Sequence, residues 1–237
     1  MRLHELAYAC SLYDAFTDFD KSINEFRDTV SPALDLGNAA HRKALLKWLN
    51  SWGCMSLAKH SHSMASNALL KWGRRCLDRL PHDDLGLAEL PDAVLVEASE
   101  AYGDLERRRA SMRLTKSGPI AVTFGPTAAA KVLHALRPKA FPPWDDPIRE
   151  KLGYDRSPES YRKFLGSVQE HVRRLEEEAA YLGISATDLP KLMKRPGSSI
   201  PKLVDEFYWV TITKECAPPT EDELERWASW ARGPKRK

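Results

Sequence analysis

Cysteine is scarce in this chain. Cys10, Cys54, Cys76 and Cys216 are the only four among 237 residues. They lie too far apart for a CxxC metal site or a local disulfide pattern, which predicts reduced, mostly buried thiols. Histidine supplies no metal site either, because His60 and His62 sit two apart with no third ligand near them in sequence. Neither a metal nor a cofactor is expected. Long apolar runs are missing as well: none approaches the ~20 residues that a bilayer-crossing helix requires. The opening Met1-Arg2-Leu3-His4-Glu5 has neither a signal-peptide nor a transit-like pattern, so a cytoplasmic protein without a membrane partner is expected. Strand-like alternation is rare, and there is no internal repeat or low-complexity tract. The net charge of +3 is too small to demand a polyanionic partner.

What the chain does have is an ordinary globular composition, 43% hydrophobic and 29% charged, with its apolar residues spaced three to four apart. Leu3, Leu6, Ala7, Tyr13, Phe16, Phe19, Ile23 and Phe26 predict a helix pair or one bent helix. Residues 39–51 and 61–80 continue the pattern up to a break at Pro81–Gly86, and Pro91 to Arg113 reads as helix again. Ser157 followed by Pro158 marks a helix start, and the stripe Tyr161, Phe164, Leu165, Val168, Val172, Leu175, Ala179, Leu182 predicts the longest helix. Pro196-Gly197 ends a short element, and Leu203 to Thr213 reads as helix or strand. The class is mainly α.

The most informative stretch is Thr123-Phe124-Gly125-Pro126-Thr127-Ala128-Ala129-Ala130-Lys131, followed by Phe141-Pro142-Pro143-Trp144-Asp145-Asp146-Pro147-Ile148-Arg149. A Gly-Pro turn opens a small-residue helix that Arg137-Pro138 stops, and a proline-rich elbow then leads into another helix. Gly125 permits positive φ, and the free N–H groups of the helix beyond it suit a phosphate. Ala128, Ala129 and Ala130 keep one side of that helix thin, so that a neighbouring helix or a sugar-phosphate backbone can approach. Val132, Leu133 and Leu136 form its buried face. The competing interpretation is a plain turn before a core helix. At the elbow, Asp146 before Pro147 is the expected helix cap, which leaves Asp145 free to react; Asp146 is the second choice. A lone carboxylate of this kind suits chemistry at a glycosidic carbon, where positive charge builds on the sugar as a base departs.

This order of parts resembles the helix-hairpin-helix DNA glycosylases, over residues 123–153. The resemblance sets Gly125 at the hairpin glycine, Ala129 at the small-residue position, Asp145 at the catalytic acid and Arg149 at a basic residue one turn later. Two departures are visible: Phe124 and its neighbours offer no first hairpin glycine, and Pro147 stands where the family carries a histidine. The resemblance implies a single, monomeric two-lobed helical glycosylase-like fold with a helix-hairpin-helix motif. Its approximate lobes are 1–90 with 198–237, and 91–197, the latter holding the hairpin region 118–153. It also implies a double-stranded DNA partner, held by Gly125, Pro126, Thr127, Lys131, Lys139 and Arg149.

Strand-cutting relatives carry a lysine just after the hairpin glycine, where this chain has Pro126 or Thr127. Simple hydrolysis leaving an abasic site is therefore implied. Lys131, one turn beyond Thr127 on the same helical face, is the one candidate to substitute as that amine, but phosphate or solvent is its expected contact. The family's iron–sulfur cluster is not expected, since only Cys216 follows the acid. Basic residues cluster at Arg107-Arg108-Arg109, Arg113 and Lys116, with Lys139, Arg149 and Lys151 around the hairpin and Lys235-Arg236-Lys237 at the end; a solvated helix face and a frayed tail are the alternatives.

For the base pocket, Trp144 adjoins Asp145, while Trp52 and Asn50 offer a stacking face and an amide. A helix end at Gly53, with the tryptophans in the core, competes with that assignment. Three functions follow: a monofunctional glycosylase, with a modified base in foreign DNA as a conceivable target; a non-catalytic DNA-binding protein; and a helical interaction scaffold.

Overall fold

The computed structural model describes residues 1–17, 19–54, 57 and 62–231. His60, Lys235, Arg236 and Lys237 lie outside the described residues. The molecule is mainly helical, 66% of it, with eleven α-helices and one two-stranded sheet among those residues. In chain order these are α1 (Leu3–Phe16), α2 (Phe19–Thr29), α3 (Ala39–Ser51), α4 (His62–Cys76), α5 (Asp92–Glu106), the strands β1 (Arg109–Thr115) and β2 (Gly118–Thr123), then α6 (Gly125–Leu136), α7 (Asp146–Lys151), α8 (Pro158–Tyr181), α9 (Leu189–Leu192), α10 (Ile200–Tyr208) and α11 (Glu221–Ala231). One π-helical turn, Trp209–Thr213, extends α10. The segment 203–213 is thus helical throughout. No helix among the described residues is long and apolar enough to cross a membrane.

Local chemistry accounts for the main boundaries. The Ser157 hydroxyl accepts a hydrogen bond from the Ser160 N–H at 3.1 Å, and Pro158 follows at the first helical position of α8. The 24 residues of α8 then run for about 36 Å, burying Tyr161, Phe164, Leu165, Val168, Val172, Leu175 and Ala179 against α5 and α10. Asn38 caps α3 through the Ala40 N–H at 2.8 Å. At the other end of α3, Gly53 takes φ +84°, and the Cys54 N–H closes back onto the Leu49 carbonyl at 2.9 Å. Most buried apolar residues from Leu3 to Tyr208 form one connected core, with Ala9, Tyr13 and Val210 in a small second cluster. The thiols of Cys10, Cys54 and Cys76 are buried and free, and burial pushes that of Cys54 up to about 11.

One element departs from expectation. The helix starting near Pro91 ends at Glu106, and 109–115 is a strand rather than the tail of that helix. The β-branched residues Thr115, Ile120, Val122 and Thr123 favour extended backbone, and Gly118, at φ +112°, closes a tight turn between the two strands. The Gly125 turn is consequently entered from β2. A helix-hairpin-helix would require a helix there, so the motif implied by the resemblance is replaced by a β-hairpin leading into α6.

Candidate active site

The segment 123–149 folds as its prolines and glycine dictate. Gly125 adopts φ +71°, Pro126 lies in the first turn of α6, and Arg137 ends that helix with its N–H on the Leu133 carbonyl. The alanines are not a thin face open to a ligand. Ala128, Ala129 and Ala130 are all buried, because α5 and α3 close on α6 from different sides. Beyond Pro138, the Phe141 N–H bonds the Arg137 carbonyl at 2.9 Å. Pro142 and Pro143 then carry the chain to Asp145 at φ −92° and ψ 154°, an extended residue directly before α7.

Asp145 opens onto a cleft of about 380 Å³ between α6, the elbow, the end of α3, α1 and α10. Its side chain is 28% exposed. Lys131 Nζ lies 2.7 Å from Asp145 Oδ1 and donates an aligned hydrogen bond to the Trp52 carbonyl at 2.7 Å. The ammonium also sits 5.5 Å from the Trp52 ring centroid. Trp52 lines the cleft with its indole fixed: Nε1 donates to Ser22 Oγ at 2.9 Å, and the ring stacks on buried His134 with centroids 6.3 Å apart. His134 Nδ1 meets the Phe141 carbonyl at 2.8 Å, a contact that places its proton on that nitrogen. Burial drives His134 down to about 3, so the ring is neutral.

The helix after the elbow starts one residue earlier than expected. Asp146, not Asp145, is the first residue of α7, and Asp145 occupies the cap position without making a capping bond. Asp146 instead accepts from Thr127 Oγ1 at 2.9 Å and Arg149 Nη1 at 2.5 Å. Burial pushes Asp146 upward, but those two hydrogen bonds outweigh it and hold the carboxyl below the ordinary aspartate value. Asp146 therefore joins the start of α6 to α7, while Asp145 lines the cleft with Lys131 as its counter-ion and no such tie.

Other expected site residues lie elsewhere. Lys131 is not at the surface: its side chain is 5% exposed and consumed by Asp145 and Trp52. Arg149 is buried, paired with Asp146, 5.8 Å from the Trp144 ring. Trp144 is fully buried, stacked on Phe164 with centroids 5.1 Å apart, and is a core residue rather than a pocket wall. Its neighbour α8 holds the ring inward while the next residue turns out. Asn50 lines a different cleft, of about 680 Å³, beside Lys43 and Lys47, with its amide 3.1 Å from His62 Nε2. Pro126 is buried, Gly125 and Thr127 are part-exposed, Thr127 lines the Asp145 cleft, and Lys139 is exposed.

The structure adds one acid that sequence reasoning passed over. Asp205, from α10, lines the same cleft and pairs with Lys202 Nζ at 2.9 Å. Burial raises Asp205 to about 6, with Lys202 opposing the shift and Asp145 adding to it. Lys202 also lies 3.4 Å from Glu206, which binds Arg195 at 2.9 Å. Burial lowers the Lys202 ammonium, but the charges of Asp205, Tyr13 and Glu206 outweigh that and hold it well above its ordinary value. A signal was present: Lys202, Asp205 and Glu206 stand at helical spacing inside a largely apolar segment, and such charges are retained only when paired. The cleft thus offers two carboxylates, each beside an ammonium: Asp145 by Lys131 and Asp205 by Lys202. Comparison of the chain with known protein families, curated proteins and solved structures finds no match.

Proposed function

We propose that the chain is a monofunctional DNA glycosylase in which Asp145 serves the departure of a flipped-out base. The observation that carries this reading is the Asp145 carboxylate, poised by Lys131 at the wall of a 380 Å³ cleft beside Trp52. That volume lies within the roughly 300–1,000 Å³ range of small-molecule sites. As the bond between base and C1′ lengthens, positive charge grows on the sugar, and Asp145 stabilises it and takes the proton of the attacking water. The departing base takes its proton from solvent water. Lys131, engaged by Asp145 and the Trp52 carbonyl, acts as counter-ion rather than as the amine of a Schiff base, in keeping with hydrolysis to an abasic site.

The test is base release from duplexes carrying damaged, deaminated, alkylated or glucosylated bases, the last representing modified foreign DNA. Asp145→Asn is expected to slow release by about 10²–10⁴-fold while duplex affinity stays within threefold. Equal release by the variant would remove the mechanism. Salt-sensitive binding without release from any substrate would instead indicate a non-catalytic DNA-binding protein.

A further inference from the structure

Between Glu106 and Asp145 the chain contains no aspartate or glutamate, although 33 acids are spread over its 237 residues. The β1–β2 hairpin lies within that stretch. Its strands pair only with each other. Its base is anchored by buried Ala110 and Ser111 on the α4 side and by the Phe124 N–H on the Arg108 carbonyl at 3.0 Å. The rest stands in water: Leu114 is 84% exposed and Ile120 48%. Leu114 faces Pro119 across the ladder, and Arg113 faces Ile120. Arg107, Arg109, Arg113 and Lys116 are exposed, and none forms an ion pair among the described residues.

An isolated two-stranded hairpin is marginally stable, and an arginine opposite an exposed isoleucine adds little to its folding. The same features suit a polyanion, because four cations unopposed by local acids produce a concentrated positive field. A two-stranded ribbon also has the width of a nucleic-acid groove. β2 spans six residues, or about 20 Å at ~3.3 Å per residue, and ends two residues before α6 begins beside the cleft. One strand length matches about six base-pair steps at ~3.4 Å each, less than one turn of duplex.

We propose that the β1–β2 hairpin is an arm that grips duplex nucleic acid away from the cleft, with Arg113 and Lys116 on phosphates and Leu114 packed against the groove wall. This rests on the duplex partner of the proposed function but not on its chemistry. The experiment is fluorescence anisotropy of a labelled 30-base-pair DNA duplex across a salt series. Arg113→Gln with Lys116→Gln should weaken binding at least tenfold at low salt and reduce the salt slope by about 2. Leu114→Ser should weaken binding about threefold to tenfold with the slope unchanged. Because these side chains are exposed, thermal unfolding should match the wild type. Wild-type affinity in all variants would overturn the proposal and assign the hairpin to some other partner, such as a protein. If these losses occur while the wild type releases no base, the arm stands and the glycosylase reading falls. If base release depends on Asp145 but the hairpin variants bind as wild type, the reverse holds.

Discussion

Two sets of cations occupy neighbouring stretches of this chain and meet opposite fates. Lys131 and Arg149, from α6 and α7, are buried and neutralised by Asp145 and Asp146. Arg107, Arg109, Arg113 and Lys116, in and around the hairpin, stand in solvent. A buried cation makes a short, water-shielded interaction that fixes one neighbour in place, and its loss strands that neighbour. An exposed cation contributes little to folding, and its field is available to an outside anion and is screened by salt. The basic residues that adjoin the Gly125 turn are thus structural parts of the cleft, and any grip on a polyanion falls to a different element.

The contrast can be broken most forcefully at its buried end. Trp144→Ala should cost about 3–5 kcal/mol in chemical denaturation, because the ring is sealed between Phe164, Tyr161 and Arg149. Trp144→Phe should leave base preference unchanged, whereas a pocket wall would alter it. Next in size, Lys131→Met should cost roughly 2 kcal/mol, less than a fully buried pair because Asp145 is partly solvated, and should slow base release without touching the salt slope of DNA binding. A slope reduced by 1 would place Lys131 on a phosphate and erase the contrast.

The pH dependence separates Asp205 from His134. Asp205 holds its proton more tightly folded, near 6, than unfolded, so its contribution to stability is complete below about pH 4 and is lost as pH rises through 6. Relative to Asp205→Asn, the wild type should lose on the order of 2 kcal/mol between pH 4 and 7. His134, driven down to about 3, has the opposite sign: its contribution is present above pH ~6.5 and falls away in acid. Differential unfolding of the two proteins, rather than the wild-type profile alone, isolates the Asp205 effect. Smallest of all, Arg107→Gln with Arg109→Gln should change stability by less than about 0.5 kcal/mol and weaken duplex binding only twofold to fivefold. A large loss of stability would mean that these arginines are structural after all.

Periodicity and caps made most helices legible. Ser157-Pro158, Gly125-Pro126 and Arg137-Pro138 each act through bonds or exclusions within four residues, and each marks a real boundary. Trp52 lines the cleft with Asp145, and so does Thr127, which was expected at a DNA backbone. The hairpin was hidden because Arg109–Thr115 continues a helical pattern and becomes a strand only when Gly118–Thr123 pairs with it. Asp205 was hidden because its partner site lies sixty residues upstream of it. Asp145 and Asp146 were nearly interchangeable in sequence, and α7 begins one residue earlier than expected, which puts Asp145 at the cap position without a capping bond.

Helix positions, turn sites and the delivery of an acid by a proline elbow follow from backbone sterics and short-range hydrogen bonds, which neighbouring residues specify. Burial does not, because it depends on what distant segments bring up against a side chain. Trp144 is sealed by α8, Lys131 is claimed by a carbonyl seventy-nine residues earlier, and the arginines of the hairpin remain in water because nothing packs over them. Desolvation and pairing are sums over every nearby atom, so the division of these cations between cleft and surface came from the packing of the whole chain.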